Sequence, residues 1–152
     1  MIEFFKEQFL FNQWANEKLL DFIYENDLIN DRISPVFSHL TLAQVIWCDR
    51  LNHKPTPVNI NEWSSWPWEE IDEKNRQTNQ GLIDFVDGRT GDDFEEVINF
   101  VNTNGTDHSR SMRHILTQIC HYTTFHRGQI AIVIHEDNIT APSTDFLDFE
   151  SS

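Results

Sequence analysis

The sequence has 152 residues, of which 39% are apolar, and it includes twelve phenylalanines and five tryptophans. This length and composition predict one globular domain over residues 1–152 and exclude an intrinsically disordered chain. The 25 acidic and 11 basic residues give a formal net charge of −14. Such a surface repels phosphate groups, so we expect neither a nucleic acid nor an anionic membrane as a partner.

Three long helices are predicted in the first part of the chain. Over residues 3–26, apolar side chains recur at intervals of three to five, which is the spacing of one helical face. A second helix is expected to begin near Pro35, with Ser38 as a candidate N-cap, and to continue through "HLTLAQVIWCDRLN". After a loop rich in proline and asparagine, the segment 67–88 predicts a third helix.

The second part of the chain predicts a short hairpin and a fourth long helix. Val97, Phe100 and Val101 precede the pair Asn104-Gly105, a combination typical of a strand that leads into a tight turn. A return strand and a helix over about residues 111–136 complete the prediction. Four long helices with short connections favour a mainly α-helical four-helix bundle.

The segment "CHYTTFHRGQI" raises the question of a metal site, since it contains two histidines five residues apart. In a helix, positions four apart differ by about 40° of rotation and positions five apart by about 140°. His126 therefore shares its face with Tyr122 and Gln118, whereas His121 points elsewhere. His39, near the start of the second helix, is the natural partner for His126. Two facing imidazoles would suit zinc or nickel, but a histidine satisfied by hydrogen bonds in a core is the commoner arrangement.

Four segments in order resemble the DinB/YfiT-like metalloproteins of the DinB superfamily. They are "FLFNQWANEKLL" at 9–20, "FSHLTLAQVIWCDRL" at 37–51, "FHRGQIA" at 125–131 and "APSTDFLDF" at 141–149. The resemblance implies a four-helix bundle, a homodimer and a divalent metal held by three histidines, one from helix two and two from helix four.

Carried over by position, the family ligands fall on His39, Tyr122 and His126, so the middle histidine is a tyrosine here. A further histidine that is common one turn earlier falls on Gln118. Three interpretations are open. The three residues form a metal-free hydrogen-bonded cluster, Tyr122 binds the metal as a phenolate, or a π-bulge brings His121 into the missing position.

The resemblance also implies an activity. The protein would be a divalent-metal-dependent enzyme acting on a small molecule, such as a transferase that uses bacillithiol, mycothiol or glutathione. Zinc or nickel is the expected metal, with manganese as a further candidate. The alternative is a metal-free bundle that binds a small ligand or only a second copy. The charged N-terminal segment is neither a signal peptide nor a membrane span, so we expect a cytoplasmic protein.

Several other side chains have plainer interpretations. Arg127 is expected on the outer side of helix four, paired with an acid. Cys48 and Cys120 lack CxxC spacing and are expected to be inert thiols. Gly128 indicates a close helix approach. Trp63, Trp66 and Trp68 could cover a pocket or the core, and the core is favoured because large aromatic side chains mostly pack there.

Overall fold

A computed structural model of the protein describes residues 1–150. The fold consists of four long helices and one hairpin, in agreement with the sequence prediction. The helices are α1 (Ile2–Glu25), α2 (Ser34–Leu51), α3 (Trp68–Asp87) and α4 (Met112–Glu136), and the strands are β1 (Val97–Val101) and β2 (Asp107–Ser111). A short 3₁₀ turn at Gly91–Glu95 precedes the hairpin, and another at Phe146–Asp148 lies near the end of the described chain.

In the bundle, α3 packs against α1 and α2, and α4 packs against α2 and α1. Its interior contains two apolar clusters, and a layer of buried polar residues accompanies them. One apolar cluster includes Phe5, Phe9, Phe94 and Ile119, and the other includes Leu19, Phe37, Trp68 and Ile130. The helices therefore bury their apolar faces against each other, as the periodicity predicts.

The hairpin lies directly before α4. β1 pairs with β2 in antiparallel register, with Val97 opposite Ser111 and Val101 opposite Asp107. Gly105 has a φ of +85° in the connecting turn, a conformation that glycine adopts without steric cost. Ser111 then caps α4, because its hydroxyl accepts a hydrogen bond from the backbone N–H of His114.

Two local predictions about the helices are wrong. Ser38 is not an N-cap, because α2 begins at Ser34 and Ser38 is buried inside the helix. Its hydroxyl instead accepts a hydrogen bond from the backbone N–H of Trp66 at 2.9 Å, which fixes the loop before α3. Gly128 makes no close helix approach, since a Cβ atom at this position would meet nothing within 4 Å.

Among the described residues, no helix is long and apolar enough to span a membrane.

Candidate functional site

The structure brings His39, Tyr122 and His126 together between α2 and α4. The hydroxyl oxygen of Tyr122 lies 2.5 Å from Nε2 of His39. The ring centroids of the two histidines are 4.7 Å apart, and those of Tyr122 and His126 are 4.2 Å apart, both pairs being edge to face. Tyr122 and His126 share one face of α4, as their spacing of four residues requires.

His39 is held from two sides by the loop that joins α2 to α3. Its Nδ1 lies 2.7 Å from the carbonyl oxygen of Glu62, which can only accept, so Nδ1 carries the hydrogen. In the neutral ring Nε2 is then an acceptor, and it receives the hydroxyl hydrogen of Tyr122. The indole of Trp63 stacks on the imidazole with centroids 3.8 Å apart. Trp63 is half exposed and stacks over the site, so for this residue the favoured core position is wrong and the alternative of a pocket cover fits, whereas Trp68 is buried in the core as expected.

His126 is fixed by a residue one turn further along α4. Its Nδ1 donates to Oε1 of Gln129 at 2.5 Å. Its Nε2 is buried and has no hydrogen-bond partner among the described residues. Burial lowers the pKa of His126, an effect that the contact with Gln129 opposes, so the ring is neutral near pH 7. Nε2 of His126 therefore has a buried lone pair to which no described residue donates a hydrogen bond.

Tyr122 contributes a neutral phenol. Burial, with a smaller contribution from the charge of Glu62, raises its pKa to about 12. The hydroxyl therefore keeps its proton at neutral pH unless a strong Lewis acid displaces it. As a third ligand it would be weaker than the imidazole that the resemblance implies at this position.

The π-bulge interpretation is wrong. The helix α4 runs as a regular α-helix from Met112 to Glu136, and His121 is exposed on its outer side. Gln118, where the resemblance implies a further histidine, is exposed as well and lines a cavity beside Tyr122. Neither residue forms a hydrogen bond with His39 or His126 within residues 1–150.

The cysteines do not form part of a nucleophilic site. Burial raises the pKa of both Cys48 and Cys120 to about 12, so neither exists as a thiolate near pH 7. Within residues 1–150, no group of three or more histidine, cysteine, aspartate or glutamate side chains could hold a metal ion. Tyr122 is the side chain with a ligand oxygen that lies beside both histidine rings.

Arg127 does not lie on the outer surface of α4, and this prediction is also wrong. The side chain is only 3% exposed, and its guanidinium donates to Oδ1 of Asn12 at 2.5 Å and to Oδ1 of Asn16 at 3.0 Å. It also donates to the hydroxyl of Thr124 and lies over the ring of Phe11. Burial lowers the pKa of Arg127 to about 10, so the side chain remains charged at neutral pH.

The two histidines of the site are suitable ligands for a divalent metal ion. Each ring has Nδ1 fixed by an oxygen acceptor, which is how metal-binding histidines are usually oriented. The unpaired Nε2 of His126 is the orphaned atom that such an ion would satisfy. The phenol of Tyr122 is adjacent to both rings but already donates to His39.

Of the residues that position the site, the sequence indicates only Trp63, as one of three tryptophans that could cover a pocket, and it does not indicate Gln129 or Glu62. Gln129 lies three residues after His126, a spacing that places both on one helical face, and this signal could have identified it. Glu62 acts through its backbone carbonyl, and Trp63 lies in an irregular loop. No sequence periodicity reports such loop contacts.

Comparison with known proteins agrees with this architecture. No curated protein matches the sequence. The crystal structure of a DinB-like protein from Bacillus cereus ATCC 10987, determined at 2.01 Å resolution, has a similar fold, with a TM-score of 0.69. The alignment covers 93% of this chain and 95% of that chain at 16% sequence identity. The DinB family matches residues 1–152, and the chain therefore belongs to the DinB family.

Proposed function

We propose that this protein binds a divalent metal ion with His39 and His126, with Tyr122 as the third ligand, and uses the site on a small molecule. The unpaired Nε2 of His126 carries this proposal. A buried acceptor without a partner costs about 1–3 kcal/mol, and a metal ion would remove that cost. The neutral state of the ring and its contact with Gln129 leave Nε2 ready to bind.

The proposed ion is zinc or nickel, with manganese as a weaker candidate, because imidazole nitrogen suits the first two better. A bound divalent ion would supply a Lewis acid that favours the thiolate form of a small thiol. Bacillithiol, mycothiol and glutathione are the thiols to test. The contribution of the protein is to fix both imidazoles through Glu62 and Gln129 and to cover them with Trp63.

Because Tyr122 is a phenol, we expect weaker metal binding than at a site with three imidazoles. Its hydroxyl hydrogen lies between Tyr122 and Nε2 of His39. Binding an ion to that nitrogen would break this hydrogen bond. The metal would therefore compete with an interaction that is already formed.

A second candidate function rests on that same hydrogen bond. At 2.5 Å the contact of Tyr122 with His39 is complete without any ion, and buried histidines are usually satisfied in this way. In this alternative the protein is a metal-free bundle that binds a small ligand. A hydrogen-bond donor of the ligand would then meet Nε2 of His126.

Metal content separates the two candidates. Protein without a histidine tag would be supplied in turn with zinc, nickel and manganese, then dialysed and analysed by elemental mass spectrometry. We expect near-stoichiometric metal in the wild type, loss in His39→Ala and His126→Ala, and tighter binding in Tyr122→His. His121→Ala is the matched control, since His121 lies on the outer side of the same helix.

The opposite pattern would favour the second candidate. If the wild type holds none of the three metals and Tyr122→His gains one, the scaffold can present three ligands but the natural site does not use them. Metal retained in both His39→Ala and His126→Ala would place the binding elsewhere in the molecule.

We also propose that the protein forms a homodimer through the outer face of α4. Phe125 is 63% exposed and Ile132 is 61% exposed, and Gly128 lies between them on the same face. Two such faces could approach closely over the glycine. Light scattering should give twice the mass of one chain, and Ile132→Asp should give monomers, whereas Leu147→Asp on the C-terminal segment should not. A monomeric wild type would end this proposal.

A further inference from the structure

A cavity opens beside the histidine pair, between α2, α4, the loop after α2 and the hairpin. Its volume is about 160 Å³, close to that of an engineered protein cavity of about 150 Å³ that binds benzene. His39 and Tyr122 line the cavity together with Trp47, Arg50 and Glu62. A small molecule held here would contact the candidate site directly.

Arg50 is the cation of this cavity, and the surrounding structure holds it in place. Its side chain is only 6% exposed, and the guanidinium lies over the rings of Trp47 at 4.4 Å and Phe100 at 4.6 Å. Nε donates to the hydroxyl of Thr56 at 3.2 Å, and Nη2 donates to the carbonyl of Val101 at 3.3 Å. A guanidinium fixed in this way loses little freedom when it binds an anion.

Among the described residues, the acid whose charge acts on Arg50 is Glu62, which lines the same cavity without forming a salt bridge with Arg50. Arg50 forms no salt bridge with any residue in 1–150, in contrast to Arg32 and Arg113, which pair with acids at the surface. Its Nη1 makes no hydrogen bond to those residues either. Buried charges are usually paired, because an isolated ion loses its hydration. A guanidinium that lines a cavity and has no salt bridge can pair with an anion that enters the cavity.

The cavity also limits the charge of the ligand. Among the described residues, Arg50 is the one arginine that lines it, Glu62 lines it too, and the charge of the Glu62 carboxylate acts on both Arg50 and Tyr122. A dianion such as a phosphate monoester would be repelled by Glu62 and only half neutralised by Arg50. A planar carboxylate carries one charge and matches the guanidinium edge.

We propose that this cavity binds a small carboxylic acid, whose carboxylate pairs with Arg50 while the rest of the molecule extends toward His39 and Tyr122. This names the substrate class of the site and rests on the proposed function in treating that site as one for small molecules. It does not require a metal, because Arg50 and the cavity are parts of the protein itself.

Benzoate and its neutral analogue benzamide are suitable probes, since they share size and shape and differ in charge. Binding to the full-length protein would be measured by ligand-observed NMR and calorimetry, with and without EDTA. We expect benzoate to bind at least about tenfold more tightly than benzamide, as a charge-assisted pair should give. Arg50→Gln should remove this preference, and Arg50→Lys should keep part of it.

Two further variants separate binding from folding. Ala43 lines the cavity without contributing charge, and Ala43→Leu should weaken both probes while Arg50 stays in place. Arg113→Gln, which removes an exposed arginine paired with Glu95, should leave the preference unchanged. Equal affinity of the wild type for benzoate and benzamide, or no binding of either, would overturn the proposal, as would a preference that survives in a folded Arg50→Gln protein.

Metal content measured on the same samples keeps the two proposals apart. A benzoate preference in protein that holds no metal would support the carboxylate site and count against the metal site. Stoichiometric metal without any benzoate preference would support the metal site and count against the carboxylate site.

Discussion

Two neighbouring residues of α4, His126 and Arg127, point into two different buried polar clusters. His126 belongs to the site cluster, made of His39, Tyr122 and His126. Arg127 belongs to a core cluster that connects α1, α2, α3 and α4. The members of the core cluster are Asn12, Asn16, Gln44, Asn75, Thr78, Asn79 and Arg127.

The two clusters differ in how completely their polar atoms are paired. In the core cluster Nδ2 of Asn75 is the one buried polar side-chain atom without a partner among the described residues, and the guanidinium charge is met by amide oxygens. In the site cluster Nε2 of His126 has no partner, and a cavity lies alongside. A closed network specifies how the helices pack. An open network next to a cavity indicates a place for a ligand.

The largest effect should come from breaking the core cluster. Arg127→Met removes the donor to Oδ1 of Asn12 and of Asn16, and both oxygens would then stay buried without a partner. At about 1–3 kcal/mol for each unpaired group, we expect a loss of about 3 kcal/mol in the free energy of unfolding. Urea denaturation followed by circular dichroism would measure it.

The control for this prediction is Arg113→Met on the same helix. Arg113 is exposed and pairs with Glu95 at the surface, and such pairs contribute little to stability. If both variants unfold at the same urea concentration as the wild type, the core cluster does not stabilise the bundle, and the contrast between the clusters fails.

The fold was predictable because it depends on periodic patterns. The apolar spacing of residues 3–26 and the turn signal at Asn104-Gly105 both correspond to elements of the structure. Arg127 and Ser38 were misplaced for a shared reason. Each is a polar residue whose burial depends on partners from other elements, Asn12 and Asn16 for the first and Trp66 for the second. Single-sequence patterns contain no information on those partners.

The candidate site likewise contains residues that the sequence could predict and residues that it could not. Its three central residues follow from helical spacing together with the family resemblance, and the structure brings them together. Glu62, Trp63 and Arg50 come from a loop and from the far end of α2. Their positions relative to the histidines are set by tertiary packing, so the sequence could not predict them.

Gln129 tests whether the open cluster is organised for binding. Gln129→Leu keeps the size of the side chain and removes the acceptor for Nδ1 of His126. Loss of such a contact typically weakens metal binding about 10–100-fold, with little effect on stability. Nitrogen NMR of the imidazoles gives a second readout, since the variant should lose the fixed Nδ1–H tautomer of His126.

Gln77→Leu is the matched control, because Gln77 is exposed on α3 and its side chain donates a hydrogen bond to Glu73. Unchanged metal affinity and an unchanged His126 tautomer in Gln129→Leu would mean that Gln129 does not organise the ring. The site cluster would then resemble an incidental polar contact more than a binding site.

The smallest effect is expected from Tyr122→Phe. It deletes the hydroxyl that donates to Nε2 of His39, and one lost hydrogen bond should lower the free energy of unfolding by about 1 kcal/mol. Tyr24→Phe, at a partly exposed position, should change it by less than about 0.5 kcal/mol. A loss as large as that of Arg127→Met would show that the site cluster is also structural.

The same variant decides how Tyr122 takes part in metal binding. If the phenol is a ligand, Tyr122→Phe should bind zinc more weakly than the wild type in a competition titration with a chelator. If the phenol is not a ligand and only donates its hydrogen bond to Nε2 of His39, its removal leaves that nitrogen available to the metal. The zinc affinity should then stay the same or rise. Either result would show whether the tyrosine at the position of the middle histidine acts as a weak ligand or as a competitor of the metal.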